Sequence, residues 1–168
     1  NATAGMALLL AGSCSKATLS QIAWYQSQGG PCCHLNPREM LEGRQTVDDA
    51  WRFIKEHSSE TAAVLVYSSD TPDKVREYQK LGAEKVAAML EGAAAELAAR
   101  AVKAGYTRII SAGGETSGAV TKGLGFSSYW MGESVAPGVP IMVPAERPDI
   151  RLILKSGNFG QEDFFGRA

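Results

Sequence analysis

Three short segments combine glycine with hydroxyl-bearing residues, the combination that binds phosphate groups. They are residues 12–15 (Gly-Ser-Cys-Ser), 113–116 (Gly-Gly-Glu-Thr) and 156–160 (Ser-Gly-Asn-Phe-Gly). Glycine lets backbone N–H groups approach an anionic oxygen closely, and Ser or Thr hydroxyls add donors without charge repulsion. The three segments together therefore predict a phosphate site, provided that the fold brings them to one place.

Each segment by itself also has a purely structural interpretation. Ser15 is a suitable cap for a helix that starts at Lys16, and Gly113-Gly114 is a suitable tight turn between a strand and a helix. These interpretations stay open for any one segment. Structure alone does not require such loops three times, and their repetition favours phosphate binding.

The elements before these segments predict where they meet. Each segment follows a short apolar run typical of a buried strand, at residues 6–11, 108–112 and 150–154. In open α/β sheets, ligands bind at the carboxyl ends of the strands. The first two segments also lead directly into predicted helices, whose free N–H groups and positive dipole ends suit a phosphate.

The rest of the chain alternates between strands and helices. Further strands are predicted at 32–35 and 62–67, and helical periodicity covers 16–28, 37–57, 73–103 with a break near Gly82, and 116–124. Past Gly125 the pattern changes to short strands and turns. We therefore expect residues 1–168 to form one three-layer α/β/α domain, with a largely parallel sheet and an antiparallel edge from the C-terminal third.

Composition narrows the classes of partner. The 168 residues are 45% hydrophobic and 21% charged, with a net charge of −1, which is ordinary for a globular domain. Without a run of Lys or Arg, nucleic acid and anionic membrane are not expected as partners. No apolar stretch approaches the roughly 20 residues of a membrane span. The start resembles no signal peptide, and Asn1-Ala2 is interpreted as a possible expression-tag remnant.

The cysteines point to a reducing, cytoplasmic environment. They are three in number, and Cys32 and Cys33 are adjacent, which does not fit a secreted disulfide framework. His34 follows them, but no C-x-x-C motif accompanies it. A strand with buried thiols is therefore favoured over a metal site.

Familiar nucleotide and hydrolase motifs are missing from the sequence. Nothing reads G-x-x-x-x-G-K-[ST], which excludes a Walker P-loop, and no G-x-G-x-x-G opens a helix, which disfavours a nicotinamide dinucleotide. The 12–15 segment lacks the G-x-S-x-G elbow of a serine hydrolase, and two histidines leave little choice of base.

Four blocks, in order along the chain, resemble the C-terminal nucleotide-binding domain of the four-carbon acid sugar kinase family. The first is Ala11-Gly12-Ser13-Cys14-Ser15, followed by Thr18 and Gln21. The later blocks are 113–120 (GGETSGAV), 136–140 (APGVP) and 154–160 (LKSGNFG), and 162–165 (EDFF) resembles the usual ending. The resemblance covers nearly the whole chain, and its ordered blocks are far more specific than one glycine loop.

The resemblance implies a function divided between two domains. Family members use ATP to phosphorylate a terminal hydroxyl of acids such as threonate, erythronate and 3-oxo-tetronate. Their N-terminal domain holds the sugar acid, and the C-terminal domain holds ATP. This chain is then a C-terminal fragment, inactive alone, with Mg²⁺ as the expected counter-ion and a homodimer as a possible assembly.

The resemblance of the matching blocks implies that six residues bind ATP: Ser15, Gly113, Gly114, Glu115, Thr116 and Gly157. Glu115 is expected to hold Mg²⁺ or to contact the ribose, and the sequence does not decide between them. Lys155 either neutralises developing charge or is a solvated lysine at a strand end. The catalytic base is expected in the other domain.

Two other functional classes remain open from the sequence. One is a stand-alone nucleotide- or phosphate-binding regulatory module without catalysis. The other is a different small-molecule transferase on a similar sheet. A sugar-acid domain encoded upstream would favour the kinase, and its absence would favour the module.

Overall fold

Strands and helices alternate along the part of the chain that the computed structural model describes, residues 5–12, 15–59, 62–136, 139–155 and 164–167. The strands are β1 (Ala7–Ala11), β2 (Cys32–His34), β3 (Val64–Tyr67), β4 (Arg108–Ala112), β5 (Tyr129–Ala136), β6 (Val139–Pro144) and β7 (Arg151–Lys155). The helices are α1 (Lys16–Ser27), α2 (Pro37–Leu41), α3 (Val47–His57), α4 (Pro72–Gln79), α5 (Ala83–Lys103), α6 (Gly114–Leu124) and α7 (Phe164–Arg167).

All seven strands belong to one mixed sheet with the order β2-β3-β1-β4-β7-β6-β5. The strands from β2 to β7 in that order are parallel to their neighbours. Strand β6 is antiparallel to β7, and β5 is antiparallel to β6. The expected parallel sheet with an antiparallel edge from the C-terminal third is thereby confirmed.

Helices cover both faces of the sheet, as the apolar runs require. Along β1, Leu8 and Leu10 join the core cluster that includes buried residues of α3, α5 and α6. Leu9, between them, joins the opposite cluster, which includes Ile22 of α1 and Phe164 of α7. A strand whose alternate side chains enter two separate cores is buried on both faces, and this explains the uninterrupted apolar run.

Glycines at positive φ set the ends of the helices that border the site. Gly82 has φ 112° and lies between α4 and α5, where the sequence predicted the break. Gly125, in the left-handed region at φ 69°, ends α6. These conformations are costly for residues with a Cβ, and they therefore account for glycine at both positions.

The inner face of α1 differs from the one expected from hydropathy. Ala23, an apolar residue, is exposed, whereas Thr18 and Gln21 are buried together with Ile22. Burial of two polar side chains on one helix face requires polar neighbours within the fold. One polar partner of Thr18 is Lys155, at the end of β7.

Candidate functional site

The ends of β1, β4 and β7, which the glycine-rich segments follow in the sequence, lie at one edge of the sheet. The three strands are adjacent and parallel, so their carboxyl ends lie side by side. Backbone hydrogen bonds continue past the strands, from Gly12 N to Ala112 O at 2.9 Å and from Gly113 N to Lys155 O at 2.8 Å. The first residues of two loops are thus fixed directly to the neighbouring strand.

Parts of this edge lie outside the described residues. They are Ser13 and Cys14 of the first segment and residues 156–160 of the third, including Gly157, a predicted nucleotide ligand. Of the first two segments, the structure describes Gly12, Ser15 and all of residues 113–116.

The N-terminus of α6 presents backbone donors at this edge, where Gly114 and Glu115 are exposed. Its cap residue, Gly113, has φ 113° and ψ 136°, and among the described residues no side-chain hydrogen bond caps the helix. Within a helix, the N–H groups of the first turn have no intrahelical acceptor. Those of Gly114, Glu115 and Thr116 are therefore available to an anion, and the helix dipole adds a partial positive charge.

A Cβ at Gly114 would meet no described protein atom within 4 Å, and the residue is exposed. Gly118, one turn further along α6, is equally exposed and equally free of neighbours. The fold itself therefore does not require glycine at either position. At Gly114, unlike Gly118, the open space adjoins a pocket.

Thr116 packs closely against Gly12 at the end of β1, where there is no room for a side chain on residue 12. A Cβ built on Gly12 would lie 1.9 Å from Thr116 Oγ1, far inside contact distance. Ser117, the next residue, is buried and its hydroxyl donates to Ser111 Oγ on β4 at 3.2 Å. These contacts fix the first turn of α6 against β1 and β4.

Ser15 caps α1, one of the interpretations that the sequence left open. Its Oγ accepts from Thr18 N at 3.2 Å and donates to Thr18 Oγ1 at 3.1 Å. The Ser15 hydroxyl is thus used within the protein in this structure. The donors that α1 offers to a ligand are the backbone N–H groups of its first turn, at Lys16 and Ala17.

Lys155 is not a solvated strand-end lysine, and that interpretation was wrong. The side chain is only 1% exposed, and Nζ donates to Thr18 Oγ1 at 3.0 Å. The ammonium also lies 5.8 Å from the ring centre of Phe164. Burial lowers the pKa of Lys155 to about 8, because removing water penalises the charged form.

A pocket of about 350 Å³ opens beside the N-terminus of α6. One wall is polar and follows the strand ends, with Gly12, Ser68 and segment 113–116. The opposite wall comes from α4 and α5 and is mainly apolar; its residues are Val75, Tyr78, Gln79, Ala83, Val86, Ala87, Leu90 and Glu91. A cleft of this size, with one polar and one apolar wall, suits a small ligand that is itself polar at one end.

Sequence reasoning missed the wall formed by α4 and α5. A signal was present in α4, because Val75 and Tyr78 are one turn apart on a helix that contains no buried residue. Both are only half-buried and both line the pocket. Apolar residues at helical spacing that are not buried in the core indicate the wall of a cleft.

Beyond the pocket, the ends of β2 and β3 bring His34 and Asp70 together. His34 Nε2 lies 3.6 Å from Asp70 Oδ2. Burial lowers the pKa of His34, and the nearby Asp70 carboxylate partly opposes that effect.

On β2, burial raises the pKa of Cys32 to about 11, with a smaller contribution from Cys33. Both thiols are free and half-buried. In the described part of the chain, no three His, Cys, Asp or Glu side chains form a possible metal-ion cluster.

Comparison with known proteins gives a consistent match. Residues 8–165 match the family described as "Nucleotide-binding C-terminal domain". Similar curated proteins are the 3-oxo-tetronate kinases of Pseudomonas savastanoi pv. phaseolicola, 40% identical over 99% of this chain, and of Methylobacterium radiotolerans, 42% identical over 98%. The chain spans 38% and 39% of the lengths of these two relatives.

Solved structures show the same fold. A crystal structure of a Haemophilus influenzae protein superposes with a TM-score of 0.93 at 35% identity, covering 98% of this chain and 40% of that one. As for membrane association, none of the helices described here is both long and apolar enough to cross a bilayer.

Proposed function

Because the chain belongs to the family of nucleotide-binding C-terminal domains found in the four-carbon acid sugar kinases, we propose that it is the ATP-binding domain of a kinase that phosphorylates a terminal hydroxyl of a four-carbon acid sugar. The observation that carries the proposal is the uncapped N-terminus of α6, which opens into a pocket with one polar and one apolar wall. ATP has the matching two-sided chemistry, with an anionic triphosphate and a flat, largely apolar base.

The two walls suggest how ATP lies in the pocket. Its phosphates lie at the polar wall, where the N–H groups of Gly114 to Thr116 and the positive end of the α6 dipole attract them. The base lies against Val75, Tyr78 and Leu90, where the Tyr78 ring offers a stacking surface. Ser15 supports the phosphate end indirectly, by holding the first turn of α1 through its cap. Gly157 keeps its assignment as a nucleotide ligand from the family resemblance alone.

Glu115 is the candidate Mg²⁺ ligand. It is exposed and lines the pocket beside the phosphate end. A carboxylate so close to a triphosphate repels it unless a cation intervenes or the carboxylate faces the ribose. We favour coordination of Mg²⁺, directly or through water, slightly over the ribose contact.

Transfer of the γ-phosphoryl group depends on positioning and on neutralising charge at the phosphate oxygens. The described residues of this chain supply donors for the phosphates. They supply no group at the phosphate end that we assign as the base for the sugar hydroxyl. The sugar acid and that base are assigned to the part of the protein outside this chain, in line with the share of its relatives that the chain spans.

The assignment of ATP to this chain and of the sugar acid to the rest of the protein can be tested directly. Calorimetry on the chain should detect binding of Mg-ATP, while a coupled ADP-release assay with threonate, erythronate or 3-oxo-tetronate should show no turnover. The full-length protein should turn over at least one of these acids. Turnover by the chain alone would contradict the two-domain proposal. ATP binding with a full-length protein inactive on every acid would favour the regulatory module.

A further inference from the structure

We propose that Lys155 is a positioning residue of the ATP site, which joins the first turn of α1 to the loop before α6 and whose buried positive charge strengthens the binding of the triphosphate. This inference rests on the proposed function. On this proposal, Lys155 at the buried end of β7 changes the affinity of the site for anions. A lysine used only in packing would change the stability of the fold and leave that affinity unchanged.

The hydrogen bonds of Lys155 reach both segments that face the pocket edge. Its carbonyl oxygen accepts from Gly113 N at 2.8 Å, which anchors the cap of α6. Its Nζ donates to Thr18 Oγ1 at 3.0 Å, and Thr18 in turn bonds through both N and Oγ1 to Ser15. One residue therefore sets the spacing between the two helix N-termini that would share the phosphates.

The charge of Lys155 is effective because water does not surround it. With 1% of the side chain exposed, its field acts across a medium less polarisable than water. The ammonium lies two hydrogen bonds from the Ser15 hydroxyl at the start of α1. For a phosphate bound at the first turn of α1, we expect a single buried charge at about this distance to change the affinity on the order of tenfold.

The groups that face Lys155 predict how this effect depends on pH. Two of the groups that contact the Lys155 ammonium are the Thr18 hydroxyl of α1 and the Phe164 ring of α7, and neither of them titrates near neutral pH. Burial lowers the pKa of Lys155 to about 8. The side chain is charged at pH 7 and loses its charge as the pH rises above 8, so affinity for the triphosphate should fall over that interval.

The experiment is a calorimetric titration of the chain with Mg-ATP at pH 7.0, 8.0 and 9.5. For the wild type we expect the Kd to rise about tenfold across this range. Lys155→Met, which keeps the length of the side chain but not its charge, should bind weakly at all three pH values. Lys103→Ala, an exposed change at the far end of α5, should behave as the wild type does.

Adenosine serves as a probe without phosphates, and its Kd should not change with pH or with the Met substitution. A wild-type Kd for Mg-ATP that is flat from pH 7.0 to 9.5 overturns the inference, even if Lys155→Met fails to fold. A folded Lys155→Met protein with wild-type affinity at pH 7.0 overturns it as well. Failure of the wild type to bind Mg-ATP at any pH contradicts the proposed function itself, and the role of Lys155 with it.

Discussion

Gly114 is a suitable position for a test of ligand binding, because a Cβ there would meet none of the described protein atoms within 4 Å. Gly114→Val should therefore fold. In a helix, the Cα–Cβ bond tilts toward the N-terminus, which at the first position of α6 directs the new side chain at the phosphates. The variant should therefore separate ATP binding from stability.

The magnitude follows from the hydrogen bonds lost. Displacing a phosphate from the N–H groups of Gly114 and Glu115 removes one or two charge-assisted hydrogen bonds, each contributing about 1.5–3 kcal/mol. That corresponds to a loss of affinity of roughly tenfold to more than a hundredfold for Gly114→Val. The smaller Gly114→Ala should give an intermediate loss. The thermal midpoint should stay near that of the wild type, because β-branched residues and alanine both match or exceed glycine in helix propensity.

Gly118→Val is the matched control, since it introduces the same side chain into the same helix, also with no neighbour within 4 Å. We expect it to melt like Gly114→Val and to bind Mg-ATP like the wild type. Both quantities come from one calorimetric titration and one thermal melt for each variant. A folded Gly114→Val protein with unchanged ATP affinity would show that phosphates do not bind here and would leave residues 113–116 as a turn between strand and helix.

Three further predictions follow from named contacts. Glu115→Gln should weaken ATP binding with Mg²⁺ but not with EDTA; a loss that persists in EDTA, without effect on free triphosphate, would indicate the ribose role. If Glu115 only stabilises the helix end, affinities should stay equal while stability falls by about 1 kcal/mol. Burial lowers the pKa of Lys155 from 10.5 to about 8, so the charged side chain destabilises the folded state below pH 8. Measured by unfolding in urea, the free energy of unfolding of the wild type relative to Lys155→Met should therefore rise by up to about 3 kcal/mol between pH 8 and 10.5. A difference between the two proteins that stays constant over this range would contradict burial of the charge. Gly12→Ala should destabilise the folded state by about 1–3 kcal/mol, because the new Cβ collides with Thr116 Oγ1. Adding Thr116→Ala to the same chain should recover most of that loss. A Gly12→Ala protein as stable as the wild type would show that the strand end can shift.

The parts of the fold that local patterns determine could be predicted from the sequence. The uninterrupted apolar runs of β1 and β4 identify strands buried on both faces, and the glycine between α4 and α5 identifies the break. The parallel arrangement then follows from alternation of strands and helices, and with it the shared edge of the glycine loops. The oligomeric state has no comparable local signal and stays a prediction.

The candidate site was only half predictable, because the other half depends on distant contacts. Lys155 was interpreted in part as solvated, since a lysine at a strand end is usually exposed; its burial is compensated by Thr18, 137 positions away in sequence. The same contact provides a polar partner for the buried hydroxyl of Thr18 on the inward face of α1. The apolar pocket wall comes from Tyr78 and its neighbours on α4 and α5, and only tertiary packing brings it opposite segment 113–116.

A crystal structure of the chain with Mg²⁺ and a non-hydrolysable ATP analogue would show whether the N-terminus of α6 binds the phosphates. We expect phosphate oxygens within about 3 Å of the N–H groups of Gly114 and Glu115, and the base between α4 and α5, against Tyr78. A nucleotide bound elsewhere, with the N-terminus of α6 still open to solvent, would contradict the account.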